Sequence, residues 1–262
     1  MIPLIPWYIT TIVLATNLTI AVAVWTLVSS TAGRSDLPLA ARRTVRIGSG
    51  LFLGAWLGAA LLLAPAPASL LGREQFYLTP LVPLFAAVPP AIVALALGFS
   101  PALRRAVAAV PLPALIGVQF YRVVGAVFLI LLAQGRIPAH FALPAGWGDV
   151  AIGLAAPVIA LALARRVRGA RPLAIAWNAL GLLDLVVAVG MGTGFLAPLL
   201  VPELGRVPPA AAMGAFPMIL VPTFAVPVSA LLHLLALARL LREVRLGSGL
   251  VPKVATGGSG RA

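Results

Sequence analysis

Seven stretches of this chain, at about 7–29, 46–64, 77–98, 113–133, 146–164, 172–190 and 214–238, are each almost continuously apolar for about twenty residues. A helix rising about 1.5 Å per residue needs roughly 20 residues to cross a hydrocarbon core about 30 Å thick. Within that core only helices and closed barrels satisfy every backbone polar group. Transmembrane strands would read as alternations of about ten residues, and these runs do not alternate. The expected fold is therefore all-α: a polytopic integral membrane protein, a seven-transmembrane-helix bundle over residues 1–246. Residues 247–262, with their Gly-Ser-Gly and Gly-Gly-Ser-Gly pieces, read as a flexible tail. Composition agrees. The 262 residues are 61% hydrophobic and 10% charged, where soluble domains run near half apolar and about a quarter charged.

The net charge of +13 invites a nucleic-acid reading, but its distribution points to orientation. Of the 19 Lys and Arg residues, 15 fall in the first, third and fifth connectors, at the start of the second run, or after the seventh run. The other connectors hold 3, Arg73, Arg136 and Arg206, and Arg122 lies inside a span. Short loops rich in Lys and Arg stay cytoplasmic, so the N-terminus is expected outside and the C-terminus inside. No basic loop carries interleaved aromatics, so no nucleic-acid partner is expected. Trp7, Tyr8, Phe76, Tyr77 and Trp147 stand where outer-interface anchors belong. The first Arg is Arg34, after the first run, so a cleavable leader is not expected. The near-exclusive use of Arg over Lys fits a GC-rich bacterium, and the expected location is its inner membrane.

Gly50, Gly54 and Gly58 form two consecutive GxxxG steps in the second run. Such a stripe lets another helix approach closely, either within the bundle or across a homo-oligomer seam. Prolines stand in the third run (Pro89, Pro90), the fifth (Pro157) and the seventh (Pro217, Pro222, Pro227). Each removes a backbone hydrogen bond and is expected to kink its helix, freeing carbonyls. The connector 191–213 is long and rather apolar, and lies on the outer surface or dips back into the bilayer.

Polar residues concentrate in the last four runs. Gln119, Tyr121, Arg122, Asp149, Asn178, Asp184, Thr223, Ser229 and His233 all fall there, whereas the first three hold little beyond Asn17. An ionisable group at membrane depth is costly and marks function by default. Counting from the cytoplasmic ends puts Arg122 about 15 Å deep and Asp184 about 18 Å deep. Gln119, Asn178 and His233 share a shallower layer at about 8–11 Å. The expectation is a polar spine between the fourth, sixth and seventh helices, centred on an Arg122–Asp184 pair with Asp149 above it. Gln119, Tyr121, Arg122, Asp149, Asn178, Asp184 and His233 are its candidate binding residues, for a small polar or anionic molecule or for protons. The bland counterpart is an ion pair that only fixes helix register, in a structural membrane subunit. His233 has its own bland counterpart, a side chain reaching the headgroup region.

No cofactor is expected. The chain has two His, of which His140 is far from His233, so two axial haem ligands are not available. The single Lys253 lies in the tail, which removes a Schiff-base amine. There is no cysteine and no HExxH. One catalytic pattern remains: Gly146-Trp147-Gly148-Asp149 matches the GxGD signature of intramembrane aspartyl proteases of the presenilin and prepilin-peptidase types. Those enzymes need two carboxylates sharing a proton, and Asp184 could be the second. The order is inverted, however, because the GxGD aspartate comes second in those families and first here.

Gln119-Phe-Tyr-Arg122, Gly148-Asp149, Gly153-Leu-Ala-Ala-Pro157, Trp177-Asn178 with Gly181, and the segment Pro217 to Pro227 leading to Leu232-His233 form a further pattern. Over residues 117–241 it resembles a group of uncharacterised bacterial seven-helix inner-membrane proteins. The resemblance implies a membrane bundle and carries no activity.

The charge bias makes a prediction about topology. A fluorescent protein fused after Leu246 should be bright and alkaline phosphatase there inactive; fused in the connector around Arg136, the two reporters should exchange behaviour.

Overall fold

A computed structural model describes residues 5–34, 36–63, 81–202 and 210–248. Arg73, Phe76, Tyr77, Arg206 and the tail from 249 lie outside the described residues. The protein is all-helical among them, with seven helices long and apolar enough to cross a membrane: Trp7–Arg34, Leu39–Leu63, Val82–Phe99, Leu112–Ala133, Ala139–Ala164, Ala170–Gly192 and Val221–Arg242. Most begin or end several residues beyond the apolar runs. The second takes in Arg42, Arg43 and Arg46 and the fifth starts at Ala139, because helical hydrogen bonding continues into the polar interface where hydropathy stops.

The core is largely apolar, but the exposed surface and the buried polar groups depart from a water-soluble domain. Leu18, Leu51, Leu62, Leu154, Val158, Leu180 and Leu183 are exposed along the spans, while Asn17, Gln119, Arg122, Asn178, Thr223, Ser229 and His233 are buried. Apolar side chains outward and polar ones inward is the pattern a lipid solvent selects. The fifth span packs against the fourth and the sixth, and the sixth against the seventh. The first span packs on the second and on the middle of the fourth. A short helix, Pro101–Ala109, opens on Ser100, whose hydroxyl accepts from the Leu103 N–H at 3.2 Å. The Ala106 carbonyl of this helix accepts from Thr31 Oγ1 at 2.9 Å, tying it to the first span.

Two spans depart from the α-helix. The fourth is α-helical over Leu112–Gly117, tightens to a 3-10 helix over Val118–Gly125, and resumes as α over Ala126–Ala133. The seventh starts with a π turn, Val221–Ala225, and continues as α from Val226. The prolines explain only the second of these. The third and fifth helices run on through Pro89, Pro90, Pro144 and Pro157 without a break, and Pro217 precedes the seventh span. Pro227 has no N–H to give to the carbonyl of Thr223, four residues earlier. The Trp56 indole of the second span donates to that carbonyl instead, at 2.8 Å. The freed group is thus satisfied from a neighbouring helix, with Trp56 also edge-on to Phe224 at 5.1 Å.

The connector before the seventh span turns inward. The Ala210 N–H donates to the Gly192 carbonyl at 2.8 Å, and Met213, Met218, Ile219 and Leu220 are buried. Among the described residues, only Gly50 of the second span's glycine stripe faces another helix. A Cβ on Gly50 would meet the Trp25 indole, but at Gly54 and Gly58 it would meet nothing within 4 Å among the described residues.

Trp56→Phe should lower stability by about 1–3 kcal/mol, the cost of leaving a buried acceptor unpaired, measured by thermal unfolding in detergent. Trp25→Phe, whose indole bonds the Arg46 carbonyl at an exposed position, should lower it less.

Candidate functional site

The 3-10 turn of the fourth span sets the site. With three residues per turn, positions i and i+3 eclipse, so Gln119 and Arg122 point the same way into the bundle, and both are buried. The fifth span comes close because Gly153 faces this turn. A Cβ there would stand 2.6 Å from the Val123 nitrogen.

Arg122 joins three other helices. Its Nε donates to Asp149 Oδ1 of the fifth span at 2.7 Å. Its Nη2 donates to Asp184 Oδ2 of the sixth. Its Nη1 lies 3.0 Å from His233 Nε2 of the seventh and 3.4 Å from the Gly181 carbonyl. Arginine has donors only, so His233 Nε2 accepts and the ring proton sits on Nδ1. That proton points at Asn178 Oδ1, 3.0 Å away, and Asn178 Nδ2 donates to the Ala174 carbonyl at 2.7 Å. The tautomer follows from its partners. Trp177 lies against the same imidazole at 4.9 Å between ring centroids, and its indole donates to the Ile152 carbonyl.

A second, uncharged cluster lies alongside. Gln119 Nε2 donates to the Ser229 carbonyl at 3.1 Å, and Ser229 Oγ donates to the Ala225 carbonyl at 2.9 Å. With its proton so used, Ser229 Oγ accepts from the Tyr121 hydroxyl at 2.5 Å.

The candidate residues therefore come together, in two connected groups. Arg122 meets both aspartates, not Asp184 alone, so the expected pair becomes a triad. His233 does not reach the headgroups; it is fully buried against Arg122. Glycines make the room. A Cβ at Gly148 would overlap the Asp184 carboxylate, one at Gly181 the His233 ring, and one at Gly125 the Asp149 side chain. The two glycines that make Gly146-Trp-Gly148-Asp149 look like a protease signature thus have packing roles, Gly146 against Leu129 and Gly148 against Asp184.

Charge and access differ across the triad. The Arg122 side chain is 2% exposed, that of Asp149 19% and that of Asp184 13%. With His233 neutral, one cation stands between two carboxylates. Formally one negative charge remains uncompensated, and its bearers are the reachable members. Beside the triad lies a cavity of about 60 Å³. Asn17 of the first span lines it together with Asp149 and Tyr121. Sequence reading left the first span out of the site, since a lone Asn gives no clue to the helix face it occupies. No group of three or more His, Cys, Asp or Glu that could hold a metal ion occurs among the described residues.

The chain belongs to the family described as Domain of unknown function (DUF8737), whose match covers residues 79–241. That stretch takes in the third to seventh spans and every member of the Arg122 network. No curated protein and no solved structure matches the chain.

Gly148→Ala should lower stability by about 1–3 kcal/mol, as overpacking does, because the added methyl displaces the Asp184 carboxylate from Arg122. Gly54→Ala, which enters open space, should leave it unchanged or slightly raised. Melting temperatures of the two variants in one detergent make the comparison.

Proposed function

We propose that this member of the DUF8737 family is a multi-pass protein of a bacterial cytoplasmic membrane, with its N-terminus outside, that takes up and releases a proton in its polar core. The observation that carries the proposal is the single Arg122 guanidinium held between Asp149 and Asp184. Two carboxylates and one guanidinium leave one negative charge at membrane depth, where an unpaired charge is costly. A proton on either carboxylate removes it, and the other stays paired with Arg122. Both carboxylates are partly reachable while the arginine is sealed, which is the arrangement a proton acceptor needs. The neutral His233 and Asn178 behind Arg122 hold its orientation and extend the chain of hydrogen bonds toward the sixth helix.

The same charge count argues against an anionic ligand. Arg122 is already neutralised, and a second anion would meet the remaining carboxylate charge. It argues against the peptidase reading as well. An aspartyl dyad works by two carboxylates sharing one proton in direct contact, whereas a guanidinium bridges these two. The orientation is supported by the distribution of basic residues, 15 against 3 on the two sides.

A structural subunit is the second reading, favoured by the number of helices Arg122 joins. The two separate on one measurement. In infrared difference spectra taken across a pH step, the proton reading expects a protonated carboxyl C=O band that is lost in Asp184→Asn or Asp149→Asn. Proteoliposomes carrying the native chain should also acidify faster under an imposed potential than those carrying either variant. A carboxyl spectrum unchanged over the whole stable pH range would leave the clamp as the function.

A further inference from the structure

We infer that the cavity between the first span and the triad is a binding site for a small monovalent metal cation of the Na⁺ class. The inference rests on the uncompensated triad charge used for the proton reading, and adds a set of ligand atoms that reading does not use.

Asn17 is the independent observation. It is 2% exposed, its Nδ2 donates to the Val13 carbonyl at 2.8 Å, and its Oδ1 is buried without a hydrogen-bond partner. Buried polar atoms are rarely left so, and each exception calls for an unseen partner such as a water or an ion. The residue lines the cavity of about 60 Å³, and so do Thr16, Tyr121, Asp149 and Ser229. Most of the wall is apolar, with Val13, Val124, Val127, Phe128, Leu185 and Val221 among its members, and the hydrogen-bond directions leave its few polar side chains other than Arg122 as acceptors. Asp149 gives Oδ1 to Arg122 and retains Oδ2. Ser229 Oγ spends its proton on the Ala225 carbonyl and takes that of Tyr121, so the phenol oxygen keeps its lone pairs. Arg122 also borders the space, but its donors go to Asp149, Asp184, His233 and the Gly181 carbonyl.

A small group of acceptors in an otherwise apolar wall, next to a net negative charge, suits one small cation. All the available ligand atoms are oxygens, which selects a hard ion over a soft one. Calcium would want six to eight oxygens, including more carboxylate than one Asp149 oxygen supplies. A water takes about 30 Å³ of liquid volume, so the cavity has room for an ion with one water. Because proton and metal cation neutralise the same charge, they compete. Half-saturation should need more Na⁺ as pH falls.

The test is thermal unfolding of the purified full-length chain in detergent at fixed pH, titrating NaCl against choline chloride at constant ionic strength, with KCl as a parallel arm. The expected result is a saturable rise in Tm with Na⁺, absent in Asn17→Leu. In Tyr121→Phe, half-saturation should move up by about tenfold, the effect of losing one ligand contact worth about 1.4 kcal/mol. Should Asn17→Leu fail to fold, Tyr121→Phe decides alone. A flat response, an equal response to every salt, or a Na⁺ response unchanged in the variants would overturn the site, since water alone in the cavity gives each of these. The carboxyl infrared spectrum is taken in choline chloride without Na⁺, so the proton reading stands or falls separately.

Discussion

A guanidinium cannot shed its charge inside a membrane, because arginine stays protonated under any condition a protein meets. Arg122 must therefore find its solvation within the protein, and the arrangement of four helices follows from that need. Burying one ion without partners costs several kcal/mol even after relaxation, and breaking such a pair by removing one member is worse than never having built it. The fifth span supplies Asp149, the sixth Asp184 and the Gly181 carbonyl, the seventh His233. Each must sit at the right height and rotation at once. That requirement sets helix register in a medium where apolar contacts hardly discriminate, since lipid tails are as apolar as leucine.

The bundle was legible because its cause is a one-dimensional quantity. Segment length against bilayer thickness is counted along the chain, and loop charge is counted the same way. The seven apolar runs accordingly fall on the seven observed helices, with errors at the ends: the helix outlasts the hydrophobic stretch at Leu39 and Ala139, and the seventh run begins before its helix, which starts at Val221. Features that depend on a second helix were less legible. Proline gave the clue to Pro227, whose missing N–H leaves the Thr223 carbonyl open, but nothing in the seventh run names Trp56 as the group that fills it. At Pro89, Pro90 and Pro157 the helix continues through the proline. The 3-10 turn over Val118–Gly125 has no proline inside it at all.

The site shows the same division. Depth can be counted, so Arg122 and Asp184 were placed at one level, and Gln119 with Asn178 and His233 at another. Azimuth cannot be counted when nearly every neighbour is apolar, for then no hydrophobic face marks the inside. For this reason the sequence does not mark Asn17 as a site residue, although it lines the same cavity as Asp149. Glycines were ambiguous for a related cause. Gly148 reads as half of a protease signature, Gly181 as a small residue in a long apolar run, and Gly54 as a dimerisation step. Only the opposing surface separates them: a carboxylate, an imidazole and open space respectively.

What turns a helix rivet into a device is the stoichiometry of charge. One aspartate opposite Arg122 would make a neutral pair, fully solvated by its neighbours and indifferent to protons or ions. Asp149 and Asp184 together overshoot by one, and His233 does not restore the balance, because its Nε2 accepts from Arg122 and the ring is thereby held neutral. The overshoot is confined to the two members that are not sealed in the bundle, and one of them, Asp149, lines the cavity where Asn17 leaves an oxygen unanswered. A bundle selected only for docking would gain by replacing either aspartate with an amide, which keeps an acceptor for the guanidinium and sheds the surplus charge. Holding both is a standing cost at the centre of the fold, and on the function proposed above one small positive charge relieves it.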